Sequence, residues 1–185
     1  MISTLLTIVI PCKDSVYELK SAIEEISKQT RILHTRILVL DMESTDGSFQ
    51  YASQASIEYG RILKIESIKY ESDKLTDLIY TIDTKYSLVV TPGTKFKSKD
   101  FILEYLNKTL LDGKISVFTT ISNFLDRFFT NRKLKNEKIE VKSLILPTNF
   151  LNSVNFKFEN ESLKISVDDG IINGDLKIVR GEISS

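Results

Sequence analysis

Along the first two thirds of the chain, short continuous runs of apolar residues alternate with segments in which apolar residues recur at helical spacing. Four short β-branched or aliphatic runs predict strands, over residues 6–11, 36–41, 62–68 and 86–91. Four segments with helical spacing follow them, over residues 16–28, 48–59, 72–82 and 99–111. In the first helix the buried stripe is predicted to be Leu19, Ala22, Ile23 and Ile26.

This alternation of strands and helices predicts an α/β fold with a Rossmann-type, mostly parallel sheet that is covered by helices on both faces. The chain has 185 residues, of which 42% are hydrophobic, so we expect one core and a single domain. After residues 116–120 this alternation ends, and a basic stretch, a Pro-Thr-Asn turn and a polar C-terminal third follow.

Charge and cysteine content indicate which partners and which cellular location to expect. Twenty-five basic residues balance twenty-five acidic ones, so no overall field favours nucleic acid, and we expect no nucleic-acid partner. Cys12 is the single cysteine and cannot form an internal disulfide, which favours a reducing, cytoplasmic location. We also expect no signal peptide and no membrane-spanning segment.

Acidic and hydroxyl residues follow the second predicted strand. Asp41 ends that strand, and Glu43, Ser44 and Asp46 come directly after it. In parallel sheets the carboxyl ends of strands carry the ligand-binding loops, and helix N-termini there offer unpaired amide donors. We therefore expect this acidic corner to open into a pocket for a nucleoside. The alternative is that residues 44–47 form only a turn and a helix N-cap.

Three segments, taken together, resemble family 2 glycosyltransferases of the GT-A fold. They are Ile8-Val-Ile-Pro-Cys-Lys-Asp14, Ile26-Ser-Lys-Gln-Thr30 and Ile37-Leu-Val-Leu-Asp-Met-Glu-Ser-Thr-Asp-Gly-Ser48. The resemblance implies a nucleotide-binding half over residues 1–95 and an acceptor-side half over residues 96–185. It also implies that a nucleoside diphosphate sugar, first of all a UDP-sugar, is bound by Pro11, Lys13, Asp14, Asp41, Glu43 and Ser44.

The fourth strand departs from the family pattern. Family members end this strand with an Asp-x-Asp motif that holds Mg²⁺ or Mn²⁺ against the donor diphosphate, whereas Thr91 and Gly93 stand in its places here. We therefore predict no metal ligands and no certain cofactor. Two interpretations stay open: Lys95 and Lys97, with Lys99, bind the diphosphate instead of a metal, or the lysines are a solvated face of a site that has decayed.

The acceptor side is expected in the C-terminal third. The segment Phe156 to Leu163, followed by Val167, is similar to the family segment that carries the general base. The resemblance makes Asp169 that base, with Asp168 as its neighbour. The alternative is an Asp-Asp-Gly turn between two strands. The chain stops soon after this point, so we expect a shortened acceptor-side half.

Residues 121–138 combine three phenylalanines with five basic residues. Such a segment can lie on an anionic membrane or against a protein partner. Because family 2 enzymes often use lipid-linked acceptors, the resemblance implies a glycan or lipid-linked acceptor and peripheral association with the inner face of the membrane. A helix packed on the core with a wet outer side is the alternative.

The function implied by the resemblance is sugar transfer from a nucleoside diphosphate sugar to a hydroxyl acceptor, in glycan or surface polysaccharide synthesis. A catalytically inert glycosyltransferase-like binding or interaction module is the first alternative. A lesser alternative is a haloacid dehalogenase-type phosphatase, because Asp41-Met-Glu-Ser-Thr45 loosely resembles the Asp-x-Asp-x-Thr nucleophile motif of that class.

Overall fold

The computed structural model of the chain describes residues 5–29, 35–60, 64–69, 82–113, 115–119, 139–141, 143–149, 154–159, 162–167, 176–180 and 183–184. The helices in this part of the chain are α1 (Val16–Lys28), α2 (Ser48–Glu58) and α3 (Phe101–Asp112). They begin and end within two residues of the predicted bounds. The helix predicted over residues 72–82 falls outside the described residues but for its last position.

Twelve strands lie within the described part of the chain. They are β1 (Leu6–Cys12), β2 (Thr35–Asp41), β3 (Lys64–Lys69), β4 (Tyr86–Val90), β5 (Lys95–Phe96), β6 (Ile115–Thr119), β7 (Ile139–Val141), β8 (Ser143–Pro147), β9 (Val154–Glu159), β10 (Ser162–Val167), β11 (Leu176–Arg180) and β12 (Ile183–Ser184).

The main sheet has seven strands in the order β11-β6-β8-β4-β1-β2-β3. Strand β1 lies inside the sheet and pairs in parallel with β2 and β4. Strand β8 runs antiparallel between β4 and β6, while β11 pairs in parallel with β6. The predicted fold class, a mostly parallel sheet flanked by helices in a single domain, is confirmed.

The polar C-terminal third contributes more strands than its pattern predicted. Strand β8 enters the main sheet, and its buried Leu144, Ile145 and Leu146 have no exposed surface. Strands β7, β10 and β9 form a separate antiparallel sheet, and the last strand, β12, pairs with β5. Five residues, of which three are aliphatic, are too few to show a period, so the position of β8 depends on partners distant in the sequence.

The helices α1, α2 and α3 pack on the same face of the sheet. Alternate residues of β1 point to this face and join one core with the buried sides of all three helices. In α1 the predicted stripe is confirmed, because each of its four residues is at most 1% exposed. Burial contributes about 1.5–3 kcal/mol for each large aliphatic side chain of this stripe. Among the described residues no helix is both long and apolar enough to cross a membrane.

Candidate functional site

The carboxyl ends of β1, β2 and β4 meet at one edge of the sheet, as the sequence predicted. Cys12 pairs with Asp41 in the parallel register, and the Met42 N–H donates to the carbonyl oxygen of Cys12 at 2.8 Å. Three loops therefore lie at this edge, over residues 13–15, 42–47 and 91–94. Because open α/β sheets bind ligands outside the carboxyl ends of their strands, this edge is the candidate site.

Asp41 is buried beneath this edge. Its side chain has no exposed surface, and Oδ2 accepts the Ser44 N–H at 3.1 Å, while the Cys12 thiol lies 4.0 Å from Oδ1. In β2 the side chains of Ile37 and Val39 face the helix side of the sheet, and the same alternation turns Asp41 toward the amino ends of α1 and α2. The acidic corner was expected to open into a nucleoside pocket, and the structure instead encloses the Asp41 side chain.

The burial of Asp41 also bears on the phosphatase alternative. That alternative needs a carboxylate oxygen of Asp41 to attack an incoming phosphoryl group. A side chain with no exposed surface cannot make this attack, whereas Glu43, the second acidic residue of that motif, lies exposed in the following turn. The phosphatase alternative therefore has no support in the structure.

Two of the loops at this edge are joined by reciprocal hydrogen bonds. The Asp14 carboxylate accepts both the N–H of Thr45, at 2.7 Å, and its hydroxyl, at 3.1 Å. In return the Asp14 N–H donates to Oγ of Ser44 at 3.0 Å. Polar atoms of Asp14 and Ser44, both predicted to bind nucleotide, thus hold the loop after β1 against the loop after β2.

Asp46 serves the amino ends of two helices at once. Its Oδ2 accepts the Val16 N–H at 2.8 Å, while its Oδ1 accepts the Ser48 N–H at 3.0 Å and the Ser48 hydroxyl at 2.6 Å. Ser48 in turn accepts the Ser15 N–H at 3.2 Å. Burial raises the pKa of Asp46, but the hydrogen bonds from Ser48 and Val16 outweigh it and hold the pKa below its usual range.

This arrangement corrects a second expectation. The sequence predicted that the helix N-termini at this edge offer unpaired amide donors, yet the first amide of each helix, that of Val16 in α1 and that of Ser48 in α2, donates to Asp46. A carboxylate of the chain itself sits where an anionic ligand would bind a helix N-terminus. The alternative interpretation of residues 44–47, a turn that caps a helix, describes their contacts correctly.

The loop backbone is strained at two exposed positions. Asp14 has φ 45° and Glu43 has φ 57°, in the left-handed region that residues other than glycine rarely adopt. Such strain is held by the surrounding hydrogen bonds and concentrates at functional loops. Lys13, Asp14 and Glu43 are exposed at this edge, whereas Pro11 is buried within β1.

The turn after β4 holds no carboxylate. Thr91 is 3% exposed and its hydroxyl lies 3.2 Å from that of Thr94, while the Thr94 N–H donates to the Thr91 carbonyl at 3.3 Å. Gly93 has φ 78°, and its N–H donates to the carbonyl of Glu18 in α1 at 3.2 Å. A side chain at position 93 would be strained by this backbone conformation.

Beyond this turn, Lys95 and Lys97 are exposed on either side of Phe96. Phe96 packs against the core and stacks on Phe101, with ring centroids 4.9 Å apart. Because side chains alternate in an extended segment, both lysines point away from the core. The structure thus exposes two lysines after the Thr91–Thr94 turn, Lys95 on β5 and Lys97 directly after it.

Cys12 lies below the same edge and is fully buried. Burial, together with the charges of Asp41 and Asp46, raises the pKa of its thiol to about 12. The thiol is therefore neutral near pH 7 and is not a nucleophile there.

Comparisons with known proteins add to this geometry. No protein-family model matches the chain, and a search of curated proteins found no match. Solved structures are similar. A mannosyltransferase from Pyrobaculum calidifontis in complex with GDP-Man and Mn2+ aligns with a TM-score of 0.62 and 11% identity, over 80% of this chain and 46% of that one. Mannosyl-3-phosphoglycerate synthase from Rubrobacter xylanophilus aligns with a TM-score of 0.62 and 11% identity, over 96% and 65%.

TarS 1-349 of S. aureus in complex with UDP-GlcNAc aligns with a TM-score of 0.60 and 12% identity, over 96% of this chain and 59% of that one. The chain has a GT-A-like fold. At this level of identity the likeness is one of fold alone. The chain spans from about half to two thirds of the length of these three glycosyltransferases.

A divalent metal does not fit the turn after β4 in this GT-A-like fold. Thr91 is buried against Thr94, and Gly93 has no side chain, so neither position supplies the hard carboxylate oxygens that Mg²⁺ and Mn²⁺ prefer. Within the described ranges no group of three His, Cys, Asp or Glu residues could hold a metal ion.

Several predicted residues are not among those that the structure describes. Asp168 and Asp169 follow β10 in the sequence and fall outside the described residues, as does the basic segment before residue 139. The general base, the membrane or partner segment and the division into two halves therefore stay predictions.

Two residues that contact the chain after β4 were missed in the sequence. Glu18 accepts the Gly93 N–H, and Gln29 contacts the segment after β5 through its side chain. Gln29 belongs to one of the segments that resemble the family, but its partners lie about 70 positions further along the chain, and no local pattern points to them.

Proposed function

We propose that this chain is a glycosyltransferase-like domain of the family 2 type, which binds a nucleoside diphosphate sugar at the edge formed by β1, β2 and β4. The observation that carries the proposal is the joined pair of loops at this edge, in a fold shared with glycosyltransferases solved with GDP-Man and UDP-GlcNAc. Loops that are already fixed before binding lose less conformational entropy when a ligand arrives.

In this proposal the nucleoside contacts the exposed groups of the two loops. Lys13, Asp14, Glu43 and Ser44 lie at the surface or partly exposed, and Pro11 lies under them in β1. Carboxylates such as Glu43 accept hydrogen bonds from a ribose hydroxyl or a base N–H. Asp41 has an indirect role, because its carboxylate holds the Ser44 amide from below and so fixes the turn that carries Glu43.

The diphosphate is assigned to Lys95 and Lys97, without a metal. Two ammonium groups can offset phosphate charge, although they lack the fixed geometry of a bridging Mg²⁺. Because both lysines are exposed, their attraction for phosphate is screened by salt, over a Debye length of about 8 Å at physiological ionic strength. Affinity is therefore expected to fall as the salt concentration rises.

The acceptor side of the proposal rests on resemblance. Asp169, beside Asp168, would take the proton from an acceptor hydroxyl as the sugar leaves the diphosphate. The acceptor class is a glycan or a lipid-linked sugar, in glycan or surface polysaccharide synthesis. Residues 121–138 would place the protein, in the cytoplasm, against the inner face of the membrane or against a protein partner.

A catalytically inert binding or interaction module is the second candidate. It is favoured by a specific observation: the carboxylates of Asp14, Asp41 and Asp46 all accept hydrogen bonds from the chain itself. In such a module the acidic corner stabilises the fold, and sugar transfer is lost while nucleotide binding is weak or absent.

Calorimetry with nucleoside diphosphates separates the two candidates. UDP, GDP, UDP-GlcNAc and GDP-mannose are titrated into the chain with EDTA and again with Mn²⁺, and release of the nucleoside diphosphate from the sugar donors is followed in parallel. Binding in EDTA that is weakened by Lys95→Ala/Lys97→Ala, but not by the α1 surface variant Lys20→Ala, supports the proposal. If no nucleotide binds under either condition, the interaction module is the better description.

A further inference from the structure

The segment that carries the two lysines runs beside helix α1 and is attached to it at two points. At its start, the Gly93 N–H donates to the carbonyl of Glu18 at 3.2 Å. At its end, the side-chain amide of Gln29 donates from Nε2 to the carbonyl of Ser98 at 3.1 Å, and its Oε1 accepts the Ile102 N–H at 3.2 Å. The first turn of α1, and Gln29 directly after the helix, thus contact opposite ends of the segment from Gly93 to Ser98.

Gln29 is itself unable to act as a surface ligand. It is 7% exposed, both of its amide heavy atoms are hydrogen-bonded, and its own N–H donates to the Ile26 carbonyl at the end of α1. A buried amide with matched partners specifies one arrangement of the backbone groups around it. Its effect on any ligand must therefore pass through the segment to which it is attached.

The segment is short, and only its middle is extended. From Gly93 to Ser98 there are five residue steps, in which Lys95 and Phe96 form β5 while Lys97 and Ser98 form a bend before α3. With one end attached to the first turn of α1 and the other to Gln29, this short segment has little freedom to shift along the helix.

Phe96 fixes the orientation of the segment between these attachments. Its ring stacks on the buried Phe101 at 4.9 Å, and β12 pairs with β5 through Ile183 opposite Phe96. With Phe96 turned to the core, Lys95 and Lys97 are both directed outward. The two attachments and the packing of Phe96 together set the position of the backbone that carries the two lysines.

We infer that Gln29 is a positioning residue, which holds the end of the segment that carries Lys95 and Lys97 against α1, so that both lysines are presented to one anionic ligand of the diphosphate class. The inference rests on the proposed function for the identity of the ligand. The positioning itself can be measured without any ligand.

The first experiment compares Gln29→Ala with the wild type and with Gln54→Ala, which removes an exposed glutamine from α2. Trypsin cleavage after Lys95, Lys97 and Lys99 is timed by mass spectrometry, and inorganic pyrophosphate binding is measured by calorimetry in EDTA. Thermal melting is used to confirm that each variant is folded at the assay temperature.

Loss of both amide hydrogen bonds is expected to speed cleavage at these lysines by about tenfold and to weaken pyrophosphate binding by a similar factor. Gln54→Ala is expected to match the wild type in both assays. If Gln29→Ala is folded and both measurements equal those of the wild type, the inference is wrong although the proposed function stands. If the wild type binds no pyrophosphate, the proposed diphosphate site fails, and the cleavage rates alone decide whether Gln29 holds the segment.

Gln29→Glu supplies a readout that a general loss of stability would not give. An ionised glutamate can accept the Ile102 N–H but cannot donate to the Ser98 carbonyl, whereas the protonated acid can do both. Burial raises the pKa of a carboxyl group, so the variant takes up this proton as the pH falls. The ratio of the variant's pyrophosphate Kd to that of the wild type should fall toward one between pH 7.5 and pH 5.5. A ratio that stays constant over this range would contradict the positioning role.

Discussion

Replacing Asp46 by alanine removes a carboxylate that serves the amino ends of two helices. The change removes hydrogen bonds from the Val16 N–H at 2.8 Å, from the Ser48 N–H at 3.0 Å and from the Ser48 hydroxyl at 2.6 Å. Loss of one helix cap costs about 1 kcal/mol, and the exposed position lets water replace part of each bond. We therefore expect a total loss of about 1–2 kcal/mol, and a fall in Tm of about 3–6 °C for a domain of this size.

The stability lost in Asp46→Ala should depend on pH in a defined direction. Since hydrogen bonding holds the folded-state pKa of Asp46 below the ordinary value of 3.8, the carboxylate contributes stability above pH 3.8, and this contribution is lost as the pH falls through the folded-state pKa. The difference between the wild type and Asp46→Ala should be complete at pH 7 and should shrink below about pH 4.

Urea unfolding followed by circular dichroism measures this difference at each pH. Asp46→Asn keeps one oxygen acceptor and should lose about half as much stability as Asp46→Ala. Glu58→Ala, an exposed acid at the end of α2, is the matched control and should change stability by less than about 0.5 kcal/mol. If Asp46→Ala is as stable as this control at pH 7, Asp46 does not join the two helix ends as described.

Three further changes test other parts of the site. Asp41→Ala removes the acceptor of the Ser44 N–H and is expected to lower stability by about 1–3 kcal/mol in urea unfolding. Asp41→Asn should lose less, and equal stability of Asp41→Ala and the wild type would contradict the buried contact. Cys12, with a pKa of about 12, should react with iodoacetamide at pH 7.5 only when the chain unfolds, so rapid alkylation of the native protein would be inconsistent with its burial. Gly93→Asp should lower stability by about 1–2 kcal/mol because of the positive φ, and should bind Mn²⁺ no better than the wild type in calorimetry.

The sequence predicted the first half of the fold because local patterns are strong there. The strands β1, β2 and β4 are short apolar runs, and the α1 stripe repeats at helical spacing, so period and length identify both kinds of element. The later strands are different. Strand β8 inserts antiparallel between β4 and β6, and nothing within its five residues indicates those partners.

The sequence placed these residues correctly at the carboxyl edge of the sheet, but it did not predict their contacts. Asp14, Asp41 and Ser44 do lie at the carboxyl edge of the sheet, as a parallel sheet requires. Which way Asp41 points depends on the alternation of β2 and on the helices packed above it, and a strand end alone does not reveal this. The contacts of Asp46 with Val16 and of Gln29 with Ser98 join distant parts of the chain, so no local motif predicts them.

The most direct test of this account is a titration of the chain with UDP and GDP in EDTA, at low and at physiological salt. The account predicts measurable binding without a metal, weakened by salt and by Lys95→Ala/Lys97→Ala, because exposed ammonium groups at the sheet edge supply the attraction. Binding that needs Mn²⁺ and is unaffected by the lysine changes would contradict the account, as would no binding of either nucleotide under any of these conditions.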